Sequence, residues 1–458
     1  MNIFFKSSFV LLGVLWHTVG LAQKLEVESS FSASGYLSTE NELPFWMVAN
    51  HNGALSSQTD GLFQVATEGT YFLSENNKAS FTAGASLYLR NGVVEEDRVQ
   101  RNELYLQFEN SWLKATAGAK NPMDRFQGLS VVNDNFLMSG NARAISGILL
   151  ETAKPISLLK NISIEGGIGH YELNDDRFVR DAMLHYKKLY ANWKIDNKSQ
   201  LRFGVEHYAQ WGGTSPTRGK QPSDFNAFID IFFAKESNDD TATVGDSINA
   251  LGNHLGIYNL EYIRKIETGV LKFYHQHPFE DGSGTALKNF PDGIWGLYFK
   301  PNREDYTGFL DGILVEYVQT TNQSKSAFTE EIGADNYFNN GTYNSGWTYE
   351  DRVIGLPFIN PILRKQTKGF FFNNRVRTIN LGLSASLKKW SFLTKHTYSE
   401  NLGSYSIPLE TKQKSFYGKL STSYSLEKYG TVSLILGFDY SNLKPENYGA
   451  GLTYSYRF

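Results

Sequence analysis

Hydrophobic and polar residues alternate along most of this chain with a period of two. The pattern is clearest at the C-terminus, where every second residue from Tyr448 to Phe458 is aromatic or apolar and the residues between them are small or polar. Similar alternation occurs at 79–90, 199–211 and 430–440. Because successive side chains of a strand point to opposite faces, the sequence predicts an all-β protein whose strands each have one apolar face.

The arrangement of these segments predicts a transmembrane antiparallel up-and-down β-barrel of about 18 strands (16–18). The predicted strands are 25–37, 61–73, 79–90, 99–108, 111–119, 144–152, 160–171, 181–194, 199–211, 253–266, 268–277, 291–300, 309–320, 373–387, 389–399, 412–426, 430–440 and 447–458. Connections after odd-numbered strands are roughly 6 to 52 residues long, and those after even-numbered strands about 1 to 8. An outer-membrane barrel sorts its long extracellular loops and short periplasmic turns in this way, whereas a soluble sandwich has no reason to do so.

Four long extracellular loops are expected, at about 38–60, 120–143, 212–252 and 321–372. We expect the two longest, 212–252 and 321–372, to fold over or into the barrel mouth and occlude it. In lipid every backbone donor and acceptor needs a partner, so the last strand is expected to pair with the first and close the sheet.

One segment within the loop at 212–252 predicts a short amphipathic helix instead of a strand. Phe225, Phe228, Ile229 and Phe232 follow the spacing of one helical face. Ser223 is the predicted N-cap, because its hydroxyl can accept from a free amide of the first turn.

The first residues predict export. Residues 1–22 have the features of a secretory signal peptide, in which a short basic segment precedes an apolar run from about Phe9 to Trp16. Cleavage is expected between Ala22 and Gln23, leaving 23–458 as a single outer-membrane barrel domain. No later segment approaches the ~18 apolar residues that a spanning helix needs.

Composition removes several classes of function. The formal net charge is −3, which gives no basic field for nucleic acid. The chain has no cysteine, so disulfides, thiolate catalysis and cysteine zinc sites are excluded. His275 and His277 lie two residues apart near Glu280 and Asp281, and such a set could bind a metal. We favour ordinary hydrogen-bonding roles for them and expect no metal or cofactor.

Four segments resemble the capsule assembly protein Wzi family. They are "ENELPFWMVANHNGAL" (40–55), "QHPFEDGSG" (276–284), "DNYFNNGTYNSGWTYEDRVIG" (335–355) and "TYSENLGSY" (397–405). The resemblance implies an outer-membrane barrel that acts as a surface lectin and retains capsular polysaccharide or exopolysaccharide. Some members carry an N-terminal helical bundle that closes the periplasmic side. Here only about 20 residues separate the expected cleavage site from the Pro44–Trp46 segment, and they predict strand, so such a bundle is not expected.

The outer loops supply the residue types that a lectin needs. Sugar rings pack on aromatic faces, and their hydroxyls pair with amide, carboxylate and guanidinium groups. The candidate polysaccharide-binding residues are Trp46, Asn50, Asn52, Tyr337, Asn340, Tyr343, Trp347, Glu350, Asp351 and Arg352. The alternative for each residue is structural: the aromatic rings fill the barrel mouth, and the asparagines make tight turns.

Other functions and partners remain open at this point. Eighteen strands can enclose an aqueous bore, so a porin or solute-uptake channel is the alternative to a lectin. An outer-membrane hydrolase would need a nucleophile beside His170, His254 or His277, and the sequence gives none a convincing partner, so we expect no enzyme. Expected partners are outer-membrane lipid, a polysaccharide export complex and the barrel-insertion machinery, whose signal Phe458 resembles.

Overall fold

The structure is a computed structural model that describes residues 25–73, 78–92, 99–235, 250–302, 308–324, 335–361 and 371–458. The predicted signal peptide, 1–22, lies outside the described residues. Within the described ranges, no helix is long and apolar enough to cross a bilayer.

Eighteen antiparallel strands in the described part of the chain form one closed barrel, which confirms the predicted fold class. They are β1 (Leu25–Ser38), β2 (Gly61–Phe72), β3 (Ser80–Asn91), β4 (Val99–Glu109), β5 (Leu113–Ala119), β6 (Ser146–Thr152), β7 (Ile162–Leu173), β8 (Ala182–Lys194), β9 (Ser199–Trp211), β10 (Asn253–Ile266), β11 (Gly269–Phe279), β12 (Gly293–Pro301), β13 (Leu310–Gln319), β14 (Val376–Leu387), β15 (Trp390–Gly403), β16 (Pro408–Ser425), β17 (Thr431–Ser441) and β18 (Asn447–Arg457). Ile156–Leu159 continues the line of β6 along β7. Each strand pairs with its neighbours in sequence.

The barrel closes where β1 meets β18. Their register runs from Ser30 opposite Arg457 to Ser38 opposite Gly449. Two further hydrogen bonds join the backbones of Ser29 and Phe458, at 2.9 and 3.0 Å. In the described part of the chain, the barrel sheet has no open edge, which is what a sheet in hydrocarbon requires.

The two faces of the wall have different chemistry. Outward positions such as Leu104, Ile379 and Leu452 are apolar and exposed. Inward positions such as Glu316 and Asn380 are polar and fully buried. This alternation places the apolar face toward lipid and the polar face toward the bore.

The connections at the two ends of the barrel differ in length, as predicted. The longer ones include loop 1 (39–60), loop 3 (120–145), loop 4 (174–181), loop 5 (212–252), loop 6 (280–292) and loop 7 (320–375). The described helices are α1 (Phe45–Val48), α2 (Phe225–Phe233) and α3 (Gly282–Thr285), with a 3-10 turn at Glu427–Tyr429. Short hairpins pair Thr214–Ser215 with Gly219–Lys220, Thr348–Tyr349 with Arg352–Val353, and Asn360–Pro361 with Phe371–Asn373.

Loops 1, 3 and 7 fill the outer half of the bore with a hydrophobic core. Leu129, Val131 and Phe136 of loop 3 have no exposed surface, and they cluster with Trp46 of loop 1 and Trp347 of loop 7. We call these three packed loops the plug. The expectation that long loops occlude the mouth is therefore confirmed for loop 7. Loop 3 takes a larger part than the sequence indicated, and helix α2 of loop 5 takes none.

Two details of loop 5 differ from the sequence prediction. The N-cap of α2 is Asp224 and not Ser223, because the Asp224 carboxylate accepts from the Ala227 amide at 2.8 Å. The helix also does not cover the mouth. It packs against His185 on the outer wall, since the Phe228 ring lies 5.4 Å from the His185 ring.

Candidate functional site

A buried carboxylate on the barrel wall holds the middle of loop 3. Glu316 on β13 accepts from the Ser130 hydroxyl at 2.6 Å and from the Val131 amide at 2.8 Å. Asn380 on β14 donates to the same carboxylate at 3.1 Å, and the Tyr274 hydroxyl of β11 also donates to it. Buried charge is tolerated only where it is hydrogen-bonded, and here four donors satisfy it.

Trp46, a candidate binding residue, lies inside the plug and is 1% exposed. Its indole nitrogen donates to the Thr397 hydroxyl on β15 at 2.9 Å. The Lys395 amino group lies 3.9 Å from the ring centroid and donates to the Ser130 carbonyl at 2.8 Å. One lysine therefore joins loop 1, loop 3 and the wall.

Asn50 and Asn52 lie in tight turns of loop 1 and bind loop 3. Both have left-handed backbones, with φ of 59° and 51°, a conformation that asparagine tolerates. The Asn50 side chain donates to the Val131 carbonyl at 2.8 Å, and the Asn52 amide donates to the Gly140 carbonyl at the same distance. In the fold, these two asparagines therefore make tight turns, which is the structural role given above as the alternative to sugar binding.

The aromatic candidates of loop 7 are also buried. The Trp347 indole donates to the Leu137 carbonyl of loop 3 at 2.7 Å, and none of its surface is exposed. The Tyr343 hydroxyl donates to the Gly212 carbonyl at 3.2 Å. The Tyr337 hydroxyl donates to Asp292 of loop 6 at 3.0 Å. These rings tie loop 7 to loops 3, 5 and 6.

Asn340 lies nearer the outer surface than these rings. Its side-chain oxygen accepts from the Thr342 and Tyr343 amides, both at 2.9 Å, and its side-chain nitrogen donates to Asn253 at 3.2 Å. The residue is partly exposed and shapes a turn at the same time.

The remaining candidates form the tip of the short hairpin at 348–353, which we call the rim hairpin. Thr348 pairs with Val353 and Tyr349 with Arg352, leaving Glu350 and Asp351 as a two-residue turn. Both turn residues have positive φ, 49° and 59°, as in the type I′ turns that join tight hairpins. Asp351 is exposed, whereas Glu350 and Arg352 are partly buried.

Residues of three other loops surround the rim hairpin. Arg143 of loop 3 forms an ion pair with Glu350, and the Glu350 amide donates to Asp175 of loop 4 at 3.0 Å. Arg352 donates to the Leu55 carbonyl of loop 1. Sequence reasoning missed Arg143 and Asp175, because nothing in their local sequence indicates that the fold brings them to loop 7.

The structure therefore separates the ten candidates into three groups. Asn50, Asn52 and Asn340 shape turns of loops 1 and 7. Trp46, Tyr337, Tyr343 and Trp347 are buried in the plug. The rim hairpin reaches the surface with polar groups of both charges. A sugar-binding role for the candidates remains a prediction, and the rim hairpin is the part of the set that a polymer can reach without displacing the plug.

Loops 6 and 7 meet at a cluster of carboxyl groups. Glu280 accepts from the Phe338 amide at 2.8 Å and the Asn336 amide at 3.2 Å, and burial together with nearby Asp335 raises the pKa of Glu280 to about 8. Burial likewise raises the pKa of Asp335 to about 7. Burial raises the pKa of Asp292 from its ordinary value. We call this junction the carboxyl latch.

The histidines considered for metal binding take up packing roles. His275 stacks on Trp295 with ring centroids 3.6 Å apart and shares a hydrogen bond with the Ile294 carbonyl at 3.0 Å. His277 stacks near Phe290. Within the ranges that the structure describes, no group of three His, Asp or Glu side chains is placed to hold a metal.

Comparison with known proteins gives the family. The capsule assembly protein Wzi family profile matches residues 31–360. Among proteins with curated descriptions, none matches the chain.

Solved structures show the same fold at low sequence identity. The chain is similar to Wzi of Escherichia coli, described as an outer-membrane, carbohydrate-binding β-barrel involved in group 1 capsule assembly, with 12% identity and a TM-score of 0.60 over 98% of this chain and 88% of that one. It is also similar to OccK3 (OpdO) of Pseudomonas aeruginosa, with 11% identity and a TM-score of 0.51 over 100% and 99% of the two chains. The family match covers well over half of the sequence. The chain therefore belongs to the capsule assembly protein Wzi family and forms a β-barrel of the outer membrane.

Proposed function

We propose that this protein is a non-enzymatic surface lectin that binds capsular polysaccharide or exopolysaccharide at the outer face of its plug and retains it on the cell. Two observations support the proposal. The chain belongs to a family named for capsule assembly, and the E. coli structure with the same fold is described as carbohydrate-binding.

The observation that carries the proposal is the plug. Its core is apolar and buried, and it reaches across the bore from loop 3 to Glu316 and Lys395 on the wall. A barrel filled in this way offers a surface for a polymer in place of a passage for small solutes. This favours the lectin over the porin that the strand number alone would also allow.

The rim hairpin is the proposed contact region. It combines the carboxylate of Asp351 with the Arg143–Glu350 ion pair and with Asn174, whose side-chain oxygen accepts from Tyr349 at 2.7 Å. Carboxylate, guanidinium and amide groups are the partners that sugar hydroxyls and acidic sugars require. The exposed turn of the hairpin lets a chain of sugars pass across it.

A deletion strain tests the function. Loss of the gene should leave polymer synthesis intact and release polymer into the medium, and the wild-type gene should restore retention. The double variant Asp351→Ala, Arg352→Ala should restore it only in part, while Lys220→Ala, in another exposed outer hairpin, should restore it fully. Unchanged retention in the deletion strain would contradict the lectin proposal.

Planar-bilayer recordings test the alternative. The purified barrel should show no steady large conductance, and a wild-type protein that conducts would favour the porin. In the same preparations, a glycan array should show binding by the wild type and weakened binding by the rim-hairpin variant. We further propose that Phe458 engages the insertion machinery and that the barrel works beside a polysaccharide export complex.

A further inference from the structure

Helix α2 covers part of the outer wall at the outer ends of β8 and β9. The rings of Phe228 and Phe232 each lie 5.4 Å from the His185 ring, and the Lys187 amino group donates to the Phe232 carbonyl. His185 and Lys187 alternate along β8 with Tyr186, which belongs to the core inside the bore. Both side chains therefore face outward.

Lys187 marks the upper limit of the exposed apolar wall in this sector, because α2 covers Ala209 and Trp211 above it. It pairs across β8 and β9 with His207. Toward the periplasmic ends of these strands, the outward positions include Leu189, Trp193 and Phe203, each at least half exposed. A change from apolar to cationic and imidazole side chains along a strand is the signature of the interface with lipid headgroups.

A groove of about 580 Å³ crosses the outer wall just below this level. Its lining includes Leu113, Leu150, Gly166, Ile168, Leu189 and Val205. Phe232, Lys187 and His207 form its upper end. The groove crosses four interstrand spacings from β9 to β5, so it is about 19 Å long. With strands tilted ~40°, it descends about 12 Å, close to the ~15 Å of one leaflet.

Gly166 keeps the floor of the groove open. It faces outward opposite Leu189. A Cβ added at Gly166 would meet nothing nearer than the Lys188 carbonyl at 3.7 Å, which is ordinary contact. A larger side chain there would therefore occupy the groove without straining the backbone.

We propose that this groove binds one acyl chain of an outer-leaflet lipid and that Lys187 holds the phosphate headgroup of that lipid. The groove has an apolar floor of leaflet depth and a cation at its outer end, which matches an anionic lipid in both respects. An ammonium group has three donors, and the Phe232 carbonyl uses one of them.

Helix α2 supports the same placement. Phe225 and Phe233 are 75% and 60% exposed, and the Lys235 amino group lies 5.3 Å from the Phe233 ring centroid. A helix that presents exposed aromatic rings beside lysine lies at the headgroup level of a membrane. It would hold the lipid against the wall from above.

The test measures lipid retained by the full-length barrel in mild detergent with native mass spectrometry. The probes are dimyristoyl phosphatidic acid and uncharged dimyristoylglycerol, added to delipidated protein. Gly166→Leu should abolish binding of both, because it fills the groove. Gly35→Leu is the matched control, since Gly35 also faces outward, on β1, with nothing within 4 Å of an added Cβ. It should bind as the wild type does.

Lys187→Gln distinguishes the contribution of the headgroup to binding from that of the acyl chain. It should weaken binding of the phosphate-bearing probe about fivefold and leave the uncharged probe unchanged. Equal binding by wild type, Gly166→Leu and Gly35→Leu would show unspecific lipid around the barrel and overturn the proposal. An unchanged affinity of Lys187→Gln for phosphatidic acid would overturn the headgroup assignment. Heat-modifiable gel migration verifies folding, and Ile168→Trp, which narrows the same groove, replaces Gly166→Leu if that variant does not fold.

Discussion

At individual positions, burial decides what a sugar-binding type of residue does in this protein. Trp46 and Trp347 have the aromatic faces that a lectin uses, yet their indole nitrogens and rings are fully occupied inside the plug. Asp351 is a less conspicuous residue in the sequence, and it is exposed at the rim. Residue types that suit a sugar ligand therefore form two sets. One set is buried and stabilises the fold, and the other reaches solvent.

Trp46→Phe tests the stabilising set. It removes the hydrogen bond to Thr397 and weakens the contact with Lys395, so we expect the barrel to lose about 1–2 kcal/mol of stability. The measurement is the midpoint temperature of heat-modifiable gel migration. Trp390→Phe, at a partly exposed tryptophan on β15, is the control and should shift that midpoint little.

The rim hairpin allows stability and binding to be separated. Replacing Glu350 and Asp351 by Asn and Gly keeps the two-residue turn and puts favoured residues at positions with positive φ. The favoured turn residues offset the loss of the Arg143–Glu350 ion pair, so we expect stability within about 1 kcal/mol of the wild type, together with weaker polysaccharide binding. Thermal midpoint and glycan binding are measured on the same preparation, and full binding by this variant would remove the hairpin from the contact region.

Among loops and strands, the sequence allowed the strands to be predicted far better than the loops. Alternation and loop parity predict all eighteen strands because both follow from one local rule, a wall with one side in lipid. The depth of loop 3 depends on Glu316 and Lys395, which lie more than a hundred residues away along the chain. The sequence predicted Ser223 as the N-cap of α2, and the structure has Asp224. Both residues are good caps, and the packed position of the helix selects one of them.

The carboxyl latch predicts a pH dependence for loops 6 and 7. Because the pKa of Glu280 is raised to about 8 in the folded loops, the folded state holds a proton that the unfolded loops release above the ordinary carboxyl pKa. The stabilisation is therefore complete at low pH and is lost as the pH rises through about 8. The backbone amides of Asn336 and Phe338 should therefore lose protection from hydrogen exchange, after correction for intrinsic rates, as the pH rises through about 8.

Glu280→Gln should reduce this dependence, since glutamine does not titrate and its one side-chain oxygen still accepts from one of the two amides. Asp335 still titrates near pH 7 and accounts for the remainder. Glu410→Gln, at an exposed position on β16, should leave the pH profile unchanged. A flat profile in the wild type would contradict the latch.

Glu316 predicts how firmly loop 3 is held. Glu316→Ala leaves the Ser130 hydroxyl and the Val131 amide without their shared acceptor inside the bore. Unsatisfied buried donors cost about 1–3 kcal/mol each, so loop 3 should open part of the time and brief conductance events should appear in planar bilayers. The control is Glu68→Ala, which removes another carboxylate facing the bore, one that accepts from Tyr105 and is remote from the plug. This variant should show no conductance events.

For the barrel as a whole, the closing seam joins the first described strand to the last residue of the sequence. The Phe458 side chain is 69% exposed, while its backbone pairs with Ser29. Phe458→Ala keeps that backbone pairing. A fall in the amount of assembled barrel in the membrane would therefore come from loss of the side chain that the insertion machinery is proposed to recognise. Tyr456→Ala is the comparison within β18, and equal yields from wild type and Phe458→Ala would contradict the proposal.

Loop 3 has a mechanical consequence that follows from its course. It leaves the wall at β5 and returns at β6, and between these points it is bonded to β11, β13, β14 and β15 on other sides of the bore. A tube braced internally in this way resists flattening when surrounding lipid presses on it unevenly. A pull transmitted through an attached polymer would then be shared among many strands at once, and no single hairpin would bear the whole load.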